Sequence, residues 1–148
     1  MANCLAILED NPDRITRMKL SAAEVFPSHC VVFFENAHEL IAWLTQHLHE
    51  VLLISLDHDL PLREAEGNTF DCGDGRIVAD YLAQLPPTCP VIVHSSNNDF
   101  AAGMYFALER SGWPVSRIVP FDDLEWIERD WKTELLGLAH SGWLTKTQ

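Results

Sequence analysis

Five short apolar runs alternate along the chain with longer segments whose apolar residues recur at helical spacing. The runs lie at residues 4–8, 31–34, 51–56, 91–93 and 115–119. The first four are almost wholly apolar, which is typical of parallel strands covered by helices on both faces. The intervening segments repeat apolar residues every three or four positions, which indicates amphipathic helices. The pattern predicts one α/β domain over residues 1–148, built from five strand–helix units.

Polar residues mark where the predicted helices begin. Asn11 followed by Pro12 is typical of a helix N-terminus, with the amide as cap and proline in the first turn. Asn36 with Glu39 three residues later predicts the start of the second helix. Asp99 is the predicted cap of the fourth helix.

The order of the strands follows from this alternation. Strand–helix–strand crossovers are right-handed, and the common five-stranded arrangement has the order 2-1-3-4-5 with helices on both faces. Ligands bind such sheets outside the carboxyl ends of the strands, at the crevice between strands one and three. The polar loop over residues 61–75 is long for a strand–helix connection, and long loops are often functional.

Acidic side chains follow the two strands that should border this crevice. Glu9 and Asp10 end strand one, and Asp57 and Asp59 end strand three, where an extended chain would project both carboxylates the same way. Converging carboxylates repel one another unless a cation joins them, and their oxygens suit Mg²⁺. We therefore expect Glu9, Asp10, Asp57 and Asp59 to bind Mg²⁺ or another divalent cation. The alternative is that these acids are helix caps or solvated turns.

Two histidines and two small polar residues lie near the same predicted edge. His94 ends strand four and is the first candidate for a general acid or base, with His58 as the second. A structural histidine at the top of a strand is the alternative for His94. Ser95 and Asn97 could donate to phosphate oxygens, although such residues are also ordinary in strand–helix turns.

Composition narrows the classes of partner. The chain has 22 acidic and 10 basic residues and a net charge of −12, which argues against an extended nucleic-acid or anionic-membrane surface. A small phosphorylated ligand bound locally through a metal is still compatible with this charge. We expect no membrane span and no signal peptide. The four cysteines are far apart and contain no zinc-ribbon spacing, which favours a reducing, cytoplasmic location.

Two tryptophans are candidate contact points on the surface. Trp126 and Trp143 are predicted either to pack within the fold or to form exposed contacts with a protein partner or a second copy of the chain.

The strand ends carry a family resemblance. Ile-Leu-Glu-Asp-Asn at 7–11, the strand ending at Asp57, the strand ending in His94-Ser95 and Val119-Pro120-Phe121 resemble the response-regulator receiver domain over nearly the whole chain. The resemblance implies a flavodoxin-like three-layer sandwich. It also implies that Glu9 and Asp10 bind Mg²⁺, that Asp57 accepts a phosphoryl group, and that Ser95 is the hydroxyl residue after strand four. Val119 stands where receivers carry a lysine.

A divergent branch of that family is still more similar. Leu-Asp-His-Asp-Leu at 56–60, the glycine-containing loop and His94-Ser95-Ser96-Asn97 resemble the cyclic-phosphate-processing receiver domain. This resemblance implies hydrolysis of a cyclic phosphate, in a nucleotide or at an RNA end, with the Asp and His residues as the active centre. The leading hypothesis is therefore a metal-dependent phosphoesterase. The alternatives are a two-component receiver phosphorylated on Asp57 and a pseudo-receiver that only binds a partner.

Overall fold

Five parallel strands form the central sheet of the computed structural model, which describes residues 2–121 and 123–141. With a separate two-stranded hairpin, the described residues form seven strands: β1 (Cys4–Leu8), β2 (Cys30–Phe34), β3 (Val51–Leu56), β4 (Arg63–Ala65), β5 (Asn68–Phe70), β6 (Val91–His94) and β7 (Val115–Ile118). The sheet order is β2-β1-β3-β6-β7, and β4 and β5 pair only with each other. Without that extra pair the order is the predicted 2-1-3-4-5, so the flavodoxin-like fold is confirmed.

Helices cover both faces of this sheet. They are α1 (Pro12–Val25), α2 (Ala37–His47), α3 (Gly75–Ala83), α4 (Asn98–Arg110) and α5 (Lys132–Ala139), with a 3₁₀ turn at Leu48–Glu50 and a π-helical turn at Ile127–Trp131. One apolar cluster joins α2, α3 and α4 to the sheet, and a second joins α1, the π-helical turn and α5 to its other face. The burial of β3 on both faces follows from this covering.

Side-chain caps begin four of the helices, α1 to α4. Asn11 accepts hydrogen bonds from the backbone N–H groups of the first turn of α1, and Asn36 does the same for α2, as predicted. The prediction for α4 is wrong, because Asn97 and not Asp99 is its cap. The helix begins at Asn98, so Asp99 already lies in the first turn, where its charge suits the positive end of the helix dipole.

An antiparallel hairpin occupies the segment that the pattern predicts as a polar loop. Strands β4 and β5 are joined by Glu66 and Gly67, whose φ angles are 55° and 80°. Two successive positive φ angles are typical of a tight hairpin turn, and glycine takes this conformation without steric cost. All six strand residues are exposed, so the hairpin lacks the buried face that makes strands visible in a sequence.

Trp126 is fully buried and belongs to the core on the α1 and α5 face, so its predicted packing within the fold is confirmed and the alternative of an exposed contact point is wrong. The tryptophan packs beside Ile127 and Trp131 at the π-helical turn. Trp143 lies outside the described residues. Within the described ranges, no helix combines the length and the apolar character that crossing a bilayer would require.

Candidate active site

Three carboxylates meet at the carboxyl ends of β1 and β3. These strands are neighbours in the sheet, so Glu9 and Asp10 after β1 come next to Asp57 after β3. One oxygen from each of the three residues lies within 4.8 Å of the other two. We call this group the acid cluster. It lies at the crevice where ligands bind sheets of this topology.

Glu9 is the most enclosed member of the acid cluster. Its Oε2 accepts hydrogen bonds from the backbone N–H groups of Asp10 and Asn11, at 3.0 and 3.1 Å. Its Oε1 lies 3.2 Å from His94 Nε2 and 3.4 Å from Arg14 Nη1. Burial raises the pKa of Glu9, but His94, the Asn11 backbone N–H and Arg14 together outweigh burial, and the net pKa lies below the ordinary value. Glu9 is therefore held as a carboxylate by the protein itself.

The negative charges of Asp57 and Asp10 are less well compensated than that of Glu9. Asp57 Oδ1 accepts a hydrogen bond from the His58 backbone N–H at 2.8 Å, and its Oδ2 lies 3.8 Å from Arg14 Nη1. Burial, with a further contribution from the charge of Glu9, raises the pKa of Asp57 to about 6. Burial and then Glu9 also raise the pKa of Asp10. A further cation near these two groups would stabilise their charged forms.

Arg14 supplies positive charge that the residues at the strand ends do not predict. It lies in the first turns of α1, and its guanidinium contacts both Glu9 and Asp57. The guanidinium carbon also lies 5.3 Å from the centroid of the Trp126 ring, within range of a cation–π interaction. The available signal was the position of Arg14 one turn into the helix that follows the acids, where a long side chain can reach back to them.

His94 is buried behind Glu9 rather than open to the crevice. Its Nδ1 lies 2.7 Å from Ser55 Oγ, and Trp131 Nε1 donates to the same oxygen at 3.0 Å. Since Trp131 donates to the hydroxyl oxygen, the Ser55 hydroxyl hydrogen can go to His94 Nδ1, which leaves a proton on Nε2 facing Glu9. Both ring nitrogens therefore face protein groups, and His94 can reach a ligand only through Glu9.

His58 lies on the other side of Asp57. Its Nδ1 is 2.7 Å from Asp59 Oδ1, its Nε2 is 3.7 Å from Asp74 Oδ2, and its ring stacks on Phe100 with centroids 4.2 Å apart. We call His58, Asp59, Asp74 and Phe100 the His58 group. The imidazole is 5% exposed, and its Nε2 has no hydrogen-bond partner among the described residues.

Asp59 is not placed with Asp57 as strand alternation predicts. Strand β3 ends at Leu56, so Asp57 and Asp59 lie beyond the strand and the two-residue period does not apply to them. The Asp59 side chain is 62% exposed and contacts His58. It lies apart from the three residues of the acid cluster.

Ser95 and Asn97 form the turn from β6 into α4. Ser95 Oγ accepts a hydrogen bond from the Asn97 backbone N–H at 3.2 Å, and Asn97 Oδ1 accepts one from the Phe100 backbone N–H at 3.4 Å. Both side chains therefore help to start the helix. Their contact with phosphate stays a prediction.

Comparison with known proteins places the chain in a family. A family model described as the cyclic-phosphate processing receiver domain matches residues 7–110, which include the acid cluster, His58, His94, Ser95 and Asn97. The chain belongs to this receiver family. No curated protein matches the chain.

Solved receiver structures share the fold of this receiver domain. The phosphorylated cyanobacterial phytochrome response regulator RcpA is 22% identical with a TM-score of 0.67, covering 99% of this chain and 96% of its own. A response regulator receiver domain from Rhodospirillum rubrum is 13% identical with a TM-score of 0.70, covering 93% and 94%. The Mn²⁺-bound form of response regulator Rcp1 is 19% identical with a TM-score of 0.58, covering 92% and 91%. At these identities the likeness shows the fold alone.

The donor set of the receiver domain's acid cluster fits a hard divalent cation. All three groups are carboxylates, the donors that a hard divalent cation prefers, and one oxygen of each lies within 4.8 Å of the other two. Asp10 and Asp57 have raised pKa values that a cation would lower. Glu9 already has two partners on each oxygen, so direct coordination there would displace Arg14 or His94.

Val119 is 36% exposed at the end of β7, where the resemblance expects a lysine. Of the lysines in the described part of the chain, Lys19 lies over the Phe33 ring and Lys132 pairs with Glu24. The cation that contacts Asp57 among these residues is Arg14. This receiver domain therefore presents a guanidinium from α1 at its acid cluster.

Proposed function

We propose that this receiver domain is a divalent-metal-dependent phosphoesterase that opens a cyclic phosphate, in a nucleotide or at an RNA end. The observation that carries the proposal is the convergence of Glu9, Asp10 and Asp57 within 4.8 Å, beside Arg14, at the carboxyl ends of β1 and β3. The family description supports the class of substrate.

The balance of charge in the crevice supports a cation as part of the working site. Three carboxylates lie together, and Arg14 is shared between two of them. Burial raises the pKa values of Asp57 and Asp10, as expected where negative charge is not fully compensated. The oxygen-only donor set suits Mg²⁺ or Mn²⁺.

Opening of a cyclic phosphate consumes one water. A bond forms between the water oxygen and phosphorus, the bond from phosphorus to one ring oxygen breaks, and the proton lost by water is matched by one gained on that oxygen. A bound Mg²⁺ would polarise the phosphoryl group and orient the water. Asp10 and Asp57 would hold the metal, and Arg14 would stabilise the negative charge that develops on the phosphate. Ser95 and Asn97 would orient its remaining oxygens.

The two histidines take different parts in this proposal. His94 has no exposed surface and contacts Glu9, so it acts as a positioning residue that keeps Glu9 charged and fixed. His58 lies next to Asp57 among the exposed side chains of Asp59 and Phe100, and it is the candidate for proton transfer to the leaving oxygen.

The test is ³¹P NMR of adenosine 2′,3′-cyclic phosphate mixed with the protein, with Mg²⁺ and with EDTA. We expect Mg²⁺-dependent conversion to a monoester, and a loss of about 100-fold or more in rate in Asp57→Asn. Asp130→Asn is the matched control, because Asp130 pairs with Arg129 on the surface and should leave the rate unchanged. Absence of conversion by the wild type, or equal rates in wild type and Asp57→Asn, would refute the proposal.

Phosphorylation of Asp57 is the second candidate function. It is favoured by the position of Asp57 after the central strand, with Oδ2 directed to within 3.8 Å of the Arg14 guanidinium. Treatment with acetyl phosphate followed by mass spectrometry should then find one added phosphoryl group on the peptide that contains Asp57. An unmodified peptide under conditions that modify a control receiver would count against this alternative.

A further inference from the structure

The β4–β5 hairpin encloses a pocket beside the acid cluster. Arg63 Nη2 of β4 lies 2.8 Å from Glu35 Oε2, at the residue that follows β2. After β5, the Cys72 carbonyl accepts a hydrogen bond from the Ala37 backbone N–H at the start of α2, at 2.8 Å. The hairpin is thus tied at both ends to the β2–α2 connection, and a cavity of about 550 Å³ lies between them.

The lining of this pocket combines aromatic rings with carboxylates. Phe34 and Phe70 contribute aromatic surface, and the Phe70 side chain at the end of β5 is 49% exposed. Glu35, Glu39 and Glu64 contribute acidic groups, while Arg63 is the lining cation and is paired with Glu35. Such a lining repels phosphate and suits a planar ring that carries N–H donors.

The pocket and the acid cluster share a border. Phe34 lies opposite Leu8 in the β1–β2 register, and its carbonyl accepts a hydrogen bond from the Glu9 backbone N–H at 3.0 Å. A ligand whose phosphate lies at the acid cluster can therefore extend into the pocket.

We propose that this pocket binds the base of a cyclic nucleotide or RNA end, and that it prefers guanine to uracil. The inference rests on the proposed phosphoesterase function and names its substrate class. Its volume falls within the range of small-molecule sites. Phe70 provides a face on which a base can stack, a contact worth about 1–3 kcal/mol in proteins that bind single strands.

The preference for guanine follows from the acceptors in the pocket. Guanine presents two adjacent donors, N1–H and the N2 amino group, which one carboxylate can accept together. Uracil presents one N–H between two carbonyl oxygens, which carboxylates repel. Glu39 is the acceptor we select, because Glu35 is already paired with Arg63. Glu39 is exposed on the first turn of α2, and its side chain faces the same cavity.

The experiment measures binding of guanosine and uridine, without any phosphate, by NMR titration of the full chain. We expect guanosine to bind about tenfold more tightly than uridine, and Phe70→Ala and Glu39→Gln each to remove about tenfold of guanosine affinity. Phe106→Ala and Glu125→Gln are the matched controls, because both residues are exposed and neither lines the pocket. Since Phe70 and Glu39 are exposed, their variants should unfold at the wild-type temperature.

Nucleoside binding tests this inference independently of the proposed phosphoesterase function. Selective guanosine binding that depends on Phe70 supports the pocket even if no cyclic phosphate is opened. Equal affinity for both nucleosides overturns it, and so does hydrolysis of guanosine and uridine cyclic phosphates with equal KM. Loss of guanosine binding in Phe100→Ala but not in Phe70→Ala also overturns it, because the base would then lie against the His58 group.

Discussion

The two buried histidines beside the acid cluster differ in what surrounds them. His94 is enclosed by Ser55, Glu9 and Trp126, and both of its ring nitrogens face protein groups. His58 is nearly as buried, yet its neighbours Asp59 and Phe100 are largely exposed, whereas the Glu9 carboxylate 3.2 Å from His94 Nε2 is fully buried. The two residues therefore differ in the exposure of their neighbours rather than in their own burial.

This difference indicates a structural role for His94 at the crevice and a reactive role for His58. The His94 side fixes Glu9 through a chain of contacts that ends at Trp131 in the helical layer. The His58 side leaves a titratable ring between the acid cluster and solvent. Changes on the His94 side should therefore act mainly on stability, and changes on the His58 side mainly on activity.

The largest expected effect is on stability when His94 is removed. His94→Ala leaves the buried Glu9 carboxylate without its imidazole neighbour and opens a cavity beside Trp126, and the two effects together should cost about 3 kcal/mol or more. His58→Ala should cost about 1–2 kcal/mol, since it loses mainly the stacking on Phe100 and some burial. Urea denaturation measures both values. Equal losses would show that the two sides do not differ as described.

The pH dependence of stability in Asp57→Asn extends the comparison to Asp57, which lies between the His94 side and the His58 side. The folded-state pKa of Asp57 is about 6, above its ordinary 3.8, so the folded protein binds the proton more tightly than the unfolded chain. Wild-type stability should therefore fall as pH rises from about 4 to about 6 and lose about 2–3 kcal/mol relative to the variant.

Urea denaturation of both proteins at several pH values, in EDTA, tests this expectation. The variant should become the more stable protein above about pH 6, and the difference should shrink towards pH 4. A stability difference that does not change across this range would contradict the buried, uncompensated state of Asp57.

Gly75→Ala tests how tightly the His58 side packs. An added Cβ at Gly75 would overlap the carbonyl oxygen of Asp57 and would lie 2.6 Å from Met104 Cε. Because the carbonyl is backbone, we expect a loss of about 2 kcal/mol and reduced activity. Gly137→Ala in α5 is the control, where an added Cβ has nothing within 4 Å and should stabilise the helix by about 0.5–1 kcal/mol. Thermal unfolding of both variants measures the contrast.

The smallest expected effect is that of Asp59→Asn. Asp59 is exposed and contacts His58 at the rim, so its loss should cost less than about 1 kcal/mol. The rate of cyclic-phosphate opening should nevertheless fall, because the Asp59 carboxylate that holds His58 Nδ1 at 2.7 Å is lost. A rate identical to that of the wild type would remove His58 from the proton transfer.

The strand ends were predictable because apolar runs mark the strands and the polar residues after them mark the crevice. Asn11 and Asn36 could be identified as caps for similar local reasons. The hairpin could not, since its strands have three residues each and no buried face. The predicted position of Asp59 was wrong because β3 ends at Leu56, so the alternation of side chains along a strand does not extend to Asp57 and Asp59.

The contacts that decide the role of His94 depend on tertiary packing. Ser55 lies inside an apolar strand, and Trp131 follows Ser55 by 76 residues in the chain. No local sequence pattern therefore connects either residue with His94. Arg14 likewise reaches the acids from a helix rather than from a strand end. Burial of Trp126 follows from its packing against the core of the α1 and α5 face.

The central claim, that the acid cluster binds a divalent cation, is tested most directly by Mn²⁺ titration of the ¹⁵N-labelled protein. Paramagnetic broadening reports which amides lie near the bound ion, and this matters because the chain carries many other acidic groups. We predict that the amides of residues 9–11 and 57–59 broaden first and that Asp57→Asn abolishes this effect. Broadening that begins elsewhere on the acidic surface, or that persists in Asp57→Asn, would contradict the account.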